Sequence, residues 1–261
     1  MRLDPEKERK LAGSLTAEDT ALIPFLPYLL QDLWELGTSP RIVSTLVRRH
    51  IPEPSGKRFL DLACGKGAVS VTLAKDFKAQ VTGIDILPDF ISFAEQKAAQ
   101  AGVASFCRFR TGDITKEVMT ERAYDCVILG AAGDVLGTPE ETVRLLGSTL
   151  RPGGRIIIDD AFLQDSDAEI TYKNYTYLTR RQWQDVFDRC GVRCVEAVTE
   201  WEPTQAETNG SDMQNIRRRA RELISRHPNC EALLASYVAS QENEYRDLEE
   251  ALTGVVWLLQ S

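Results

Sequence analysis

Histidine is almost missing from this 261-residue chain, which has only His50 and His227. A histidine relay or a histidine-rich metal centre therefore has little to be built from. Each adjoins a helix-ending or proline segment, where a surface or capping role is expected. The six cysteines (Cys64, Cys107, Cys126, Cys190, Cys194, Cys230) form no CxxC pair, and no secretory leader is expected ahead of them. Reduced thiols in a cytoplasmic protein are the expectation. Cys190 and Cys194 straddle Gly191 without a histidine partner, so they read as structural thiols. No run reaches the roughly 20 apolar residues that span a bilayer, because ALIPFLPYLL (21–30) is interrupted by Pro24 and Pro27. Positive charge is also in deficit, with 31 Lys and Arg against 39 Asp and Glu and a net charge of -8. That balance opposes broad attachment to a phosphate backbone, and nucleic acid is not expected as a partner. The cluster Arg217, Arg218, Arg219 and Arg221 adjoins Glu222 and a later acidic stretch, and reads as a solvated helix face.

The chain does have hydrophobic content, 43%, sufficient for a sizeable core. After a charged opening to Lys10, helical patterns occupy about 18–36 and 39–50 before Pro52 and Pro54 stop them. From Lys57 onward, strand-like runs alternate with helical ones. The strand-like runs are RFLDLA (58–63), QVTGIDI (80–86), SFCRFRTGDI (105–114), YDCVILG (124–130) and GRIIIDD (154–160). Between them lie the helical runs VSVTLAKDF, PDFISFAEQKAAQ and PEETVRLLGSTL. Such alternation predicts a parallel α/β sheet covered by helices on both faces. Further on come a tyrosine-bearing polar stretch, the helix TRRQWQDVFDRC, the strand CVEAVTEW (194–201), a charged helical stretch at about 210–249 and a last strand, TGVVWLLQ (253–260).

The run DLACGKG (61–67) joins the first strand to the first helix of this alternation. Gly65 and Gly67 lack Cβ atoms, which permits unusual dihedrals and close approach of a ligand to the main chain, while the amides of the following helix face outward. Asp85 closes the second strand, where a carboxylate can accept hydrogen bonds from both hydroxyls of a cofactor ribose. A dinucleotide and a sulfonium cofactor would both use it. Asp113, in TGDI, adds an acidic acceptor where an adenine amino group would lie, and RPGG (151–154) leads into the fifth strand.

With these markers together, residues 56 to 200 resemble the class I S-adenosylmethionine-dependent methyltransferases, in particular the small-molecule type that includes the ubiquinone and menaquinone enzymes. The resemblance implies a Rossmann-like, seven-stranded, mostly parallel sheet with an antiparallel last strand. It divides the chain into a helical cap (1–55), a cofactor-binding core (56–203), a helical insertion (204–250) and a final strand returning to the sheet (251–261). It implies S-adenosylmethionine as cofactor, with Asp61, Ala63, Cys64, Gly65 and Gly67 around its methionine part. Asp85 and Ile86 fall at the ribose, Gly112, Asp113 and Ile114 at the adenine, and Gly130 beside the cofactor on the fourth strand. Ala63 stands where many members carry a glycine.

An activated sulfonium methyl needs mainly an in-line nucleophile held close, so the expected function is methyl transfer to a small or medium-sized acceptor. No general base can be named, but the ends of the fourth and fifth strands, LGAAGD (129–134) and DDAF (159–162), are where one would lie. The NPPY and Pro-Cys signatures of nucleobase-methylating relatives are replaced by Leu129, Gly130 and Ala131. Asp159 and Asp160 invite comparison with a magnesium-binding Asp-Asn pair, yet the usual strand-four aspartate is absent and Asp134 is displaced, so no metal is assigned. Tyr28, Trp34, Asp134, Asp159, Asp160 and Tyr175 are the substrate-side candidates; Phe25, Tyr172 and Tyr177 belong to the same aromatic lid segments. Two rivals remain in this reading: an NAD-dependent oxidoreductase using Asp85, and a non-catalytic cofactor-binding protein. Oligomeric state cannot be read.

Overall fold

In the computed structural model, residues 5–17, 19–172, 175–199 and 203–261 are described. Helix α1 (Pro5–Ser14) leads to a 3-10 segment (Thr20–Phe25), the single turn α2 (Leu26–Leu29) and α3 (Pro40–His50). The alternating region follows as β1 (Arg58–Leu62), α4 (Ala68–Phe77), β2 (Gln80–Asp85), α5 (Pro88–Gln100), β3 (Cys107–Thr111), α6 (Ile114–Glu117), β4 (Tyr124–Gly130), α7 (Pro139–Ser148) and β5 (Leu150–Leu163). The chain finishes with β6 (Leu178–Thr179), α8 (Arg180–Cys190), β7 (Arg193–Val198), α9 (Pro203–Arg226), α10 (Glu231–Glu250) and β8 (Leu252–Gln260).

The main strands lie in the order β3-β2-β1-β4-β5-β8-β7, with β8 antiparallel to both neighbours. This is the Rossmann-like sheet with its reversed last strand. The two-residue β6 adds to it, pairing with the tip of β5. Strands β1 and β4 are covered on both sides: Leu60, Leu62, Val127 and Leu129 pack into one core layer, and Phe59, Cys126 and Ile128 into the other. β1 and β4 are parallel, but the order in which strands are added reverses between them, and this opens a crevice at their carboxyl ends. The register aligns Leu62 with Ile84 and Leu129, and Gly130 with Asp159, so the polar strand ends share one rim.

A third apolar cluster roofs that rim. Leu22, Leu26 and Leu29 from the N-terminal segments interlock with Met213, Ile216 and Leu223 of α9 and with Leu234 and Tyr237 of α10. The cap and the insertion, far apart in sequence, thus share one core. Arg218 and Arg219 reinforce it by pairing with Asp32 at 2.9 and 2.6 Å, and Arg217 pairs with Glu242 at 2.8 Å. Partly exposed pairs of this kind each contribute about 1 kcal/mol or less.

Several helical boundaries differ from the sequence reading. The pattern at 18–36 does not form one helix: Pro24 sits inside the 3-10 segment and Pro27 opens α2, because proline donates no amide and cannot continue a preceding helix. The charged opening instead forms α1. The stretch at 210–249 divides into α9 and α10 at the 3-10 turn Pro228–Cys230, again at a proline. Glu18, Glu200 and Trp201, which fall within those helix and strand readings, lie outside the described residues. No helix among the described residues is long and apolar enough to cross a membrane.

Candidate functional site

The crevice is an open cavity of about 1050 Å³. Its walls come from the ends of β1, β2 and β4, from Asp113 and Ile114 at the start of α6, and from Trp34, Leu36 and Thr38 of the cap. The loop after β1 turns by left-handed dihedrals, with φ of +56° at Ala63, +52° at Gly65 and +76° at Gly67. Ala63 therefore occupies a conformation that favours glycine, which accounts for the residue type usual there. Gly67 ends the turn, its amide donating to the Cys64 carbonyl at 2.9 Å. A Cβ on Gly67 would stand 2.7 Å from Ala94 Cβ, so the absence of a side chain allows α4 to pack against α5.

The three acids named from the sequence converge on this cavity. Asp61 accepts from the Ser70 hydroxyl at 2.6 Å, tying β1 to the first turns of α4. Asp85 accepts from the Gly65 amide with one oxygen and from the Leu87 amide with the other, both at 2.9 Å. Asp113 caps α6, accepting from the Thr115 amide at 3.0 Å. Ala63, Cys64, Gly65, Ile86, Ile114 and Gly130 line the same space. Gly67 and Gly112 do not. Gly67 supports the turn from behind, and Gly112 gives its amide to the Asp85 carbonyl at 2.9 Å.

The substrate-side residues divide similarly. Trp34 lines the crevice at the strand ends and donates from Nε1 to the Lys66 carbonyl at 3.1 Å. Asp134, Asp159, Asp160 and Tyr175 line a neighbouring cavity of about 790 Å³, in which the Tyr175 hydroxyl donates to Asp160 at 2.7 Å. Tyr28 does not reach these cavities. Its hydroxyl donates to Glu222 at 2.5 Å and its ring lies under Arg219 and Arg226, because α2 turns this side chain toward α9 and away from the sheet. His50 pairs with Glu196, and His227 meets the Phe25 ring edge-on at 5.7 Å; neither lines the cavities.

Sequence reasoning missed Lys66. Within a turn expected to face a ligand, this side chain is 3% exposed. It folds back under the cap, where its ammonium donates to the carbonyls of Leu30 and, at 2.6 Å, Leu33, with the Phe93 ring at 4.8 Å. Burial pushes it down to about 8, opposed by Asp32 and assisted by Lys97. The only sequence signal was a long cation in a position requiring a small profile. Lys66→Met should strip the Leu33 carbonyl of its charged donor and leave the Leu30 carbonyl with only the Leu33 amide, at a cost of about 1.5 to 3 kcal/mol. A lower melting temperature together with faster proteolysis of the cap is the expected result; unchanged values for both would contradict the tether.

Burial raises Asp61 to about 7, with Ser70 opposing and Asp85 assisting, and raises Asp85 to about 6 despite the amides of Leu87, Gly65 and Ile86. These folded-state values lie above the ordinary carboxyl value near 3.8. The folded chain therefore retains protons that the unfolded chain releases, and this part of stability is complete below about pH 4 and declines as pH rises through 6 and 7. For the ligand-free protein, the melting temperature at pH 8 should fall below that at pH 5.5 by about 3 °C or more. Asp61→Asn should flatten the slope in a thermal scan; an unaltered slope would show that Asp61 is not its source.

With the geometry described, comparison with known proteins assigns the chain to a family. Residues 53–249 match the methyltransferase-domain family, and the chain belongs to it. Among curated proteins it is similar to the ubiquinone biosynthesis O-methyltransferase of Xanthomonas axonopodis pv. citri, 31% identical over 108 residues, which are 41% of this chain and 44% of that one. It is also similar to the uncharacterized protein YjhP of Escherichia coli, 33% identical over 153 residues, which are 55% of this chain and 60% of the relative. The matched stretches thus span about half the length of these curated relatives. Among solved structures, a SAM-dependent methyltransferase from Geobacter sulfurreducens, crystallised with S-adenosyl-L-homocysteine, shares the fold with a TM-score of 0.76 and 23% identity, covering 90% of this chain and 97% of that one.

Proposed function

We propose that this chain is an S-adenosylmethionine-dependent methyltransferase acting on a small or medium-sized acceptor by in-line displacement. The observation that carries this reading is the convergence of Asp61, Asp85 and Asp113 with the Gly65 loop on one cavity at the reversal point of the sheet. The donor set fits the cofactor. The Asp85 oxygens retain lone pairs for ribose hydroxyls beyond the backbone amides they already serve. Ile86 and Ile114 offer apolar surface to a purine, Asp113 offers an acceptor at its edge, and the carboxylate of Asp61 suits the cationic amino end. When bound, the sulfonium supplies an already activated methyl group. The protein's contribution is positioning and exclusion of water, for which Trp34, Leu36 and the cap form a roof.

Thermal shift with S-adenosylhomocysteine against NAD tests the reading, since a ligand stabilises only the fold that binds it. Stabilisation by the former alone is expected; stabilisation by NAD alone would install the oxidoreductase in its place. Release of S-adenosylhomocysteine during turnover with a metabolite extract is expected of an enzyme, and binding without any turnover would favour the non-catalytic alternative.

A further inference from the structure

The cofactor cavity meets two outer chambers at Ser14 and Ala131. Beyond that junction the wall changes character. Among the described residues, every charged side chain lining the outer chambers is a carboxylate: Glu35, Asp212 and Glu244 in one, and Asp134, Asp159, Asp160 and again Glu244 in the other. Gathering carboxylates in a space of low polarity disfavours their charged forms. Burial accordingly raises Asp159 to about 7, Asp160 to about 6 and Asp212 to about 6, with nearby carboxylates adding to the effect at Asp159 and Asp212.

Independent features of the same walls point to a polar occupant and favour a cationic one. Tyr237 is 1% exposed and lines the first chamber, yet its hydroxyl has no hydrogen-bond partner among the described residues. A buried phenol hydroxyl without a partner is costly, and a polar group of a ligand, an ammonium N–H included, would satisfy it. In the second chamber Tyr175 and Tyr177 stand edge to face at 4.8 Å, and rings of this kind attract ammonium groups. An anionic acceptor would meet repulsion from each charged side chain described in these walls, whereas a cation would be drawn in.

We propose that these chambers select an amine: a small aliphatic or aralkyl ammonium ion, held by Asp160 and the tyrosines, whose nitrogen receives the methyl group after Asp159 takes its proton. The proposal rests on the methyltransferase reading above. Asp159 is placed for the task, since it pairs in register with Gly130 on the adjacent strand, which lines the cofactor cavity, while Asp159 itself lines the outer chamber. Loss of the proton to the Asp159 carboxylate frees the nitrogen lone pair. The N–C bond forms as the C–S bond breaks, its electron pair remains on sulfur, and the products are a neutral thioether and a methylated ammonium ion. Asp159 then returns its proton to water. This assigns to the chain an N-methylation, with positions for binding and for proton removal on successive residues of β5.

The test uses the full chain saturated with S-adenosylhomocysteine and three compounds of matched shape: 2-phenylethylamine, 2-phenylethanol and 3-phenylpropionate. By calorimetry or ligand-observed NMR the amine should bind at least tenfold more tightly than the alcohol, and the acid should not bind. Asp160→Asn should weaken amine binding at least tenfold while affinity for S-adenosylhomocysteine stays within twofold, which separates loss of the contact from loss of the fold. With methyl-labelled S-adenosylmethionine, label should appear on 2-phenylethylamine or butylamine, and Asp159→Asn should slow that transfer at least a hundredfold at saturating amine. Alcohol or acid bound as tightly as the amine, label on an oxygen acceptor, or no label on either amine would overturn the proposal. Failure to bind S-adenosylhomocysteine at all would instead overturn the methyltransferase reading beneath it.

Discussion

Gly65→Val is expected to raise the dissociation constant for S-adenosylhomocysteine more than a hundredfold, about 3 kcal/mol, with the sheet still folded. Gly65 adopts φ of +52°, a region in which a β-branched residue is strained. A Cβ there would stand 3.2 Å from Leu36 Cδ1, narrowing the space between the loop and the cap. Relaxing that strain would pull the Gly65 amide from Asp85, to which it donates at 2.9 Å, and so displace the residue assigned to the ribose. Calorimetry gives the affinity, and far-UV circular dichroism checks the fold. Tight binding by a folded variant would place the cofactor elsewhere.

Asp85→Ala is expected to weaken the same interaction ten- to a hundredfold, about 1.5 to 3 kcal/mol. Two effects act together. The ribose loses its charged acceptor, and the amides of Gly65 and Leu87 lose the oxygens that fix the loop. Asp85→Asn retains an acceptor oxygen and nearly the same shape, so its loss should be smaller. Equal affinity in the alanine variant and the native protein, measured by calorimetry, would remove Asp85 from the cofactor site.

Much of this site was legible because its parts are local. A glycine turn between a strand and a helix, or an acid at a strand end, is set by neighbouring residues and by the alternation of side chains along a strand. Gly65, Asp85 and Asp113 could therefore be named from their positions, Asp61 from the family resemblance, and all four line the cavity. Gly67 was harder, because whether it faces ligand or protein depends on how closely α4 approaches Ala94 and Phe109. Tyr28 misled for a related reason. An aromatic residue in a cap segment can face the sheet or the insertion, and the contacts that decided it, to Glu222, Arg219 and Arg226, come from nearly 200 positions away.

By itself the sequence determined the α/β alternation, the succession of its strands and helices along the chain and the acids at the strand ends, since hydrophobic period and turn chemistry act over a few residues. Only the tertiary structure decided that the cap and the insertion share one core, that Lys66 holds the cap down and that the outer chambers are walled by carboxylates and tyrosines. Glu35, Asp160, Asp212 and Glu244 belong to no common motif. They come together because burial of the apolar faces of α9 and α10 against the N-terminal segments brings their polar margins over the carboxyl end of the sheet.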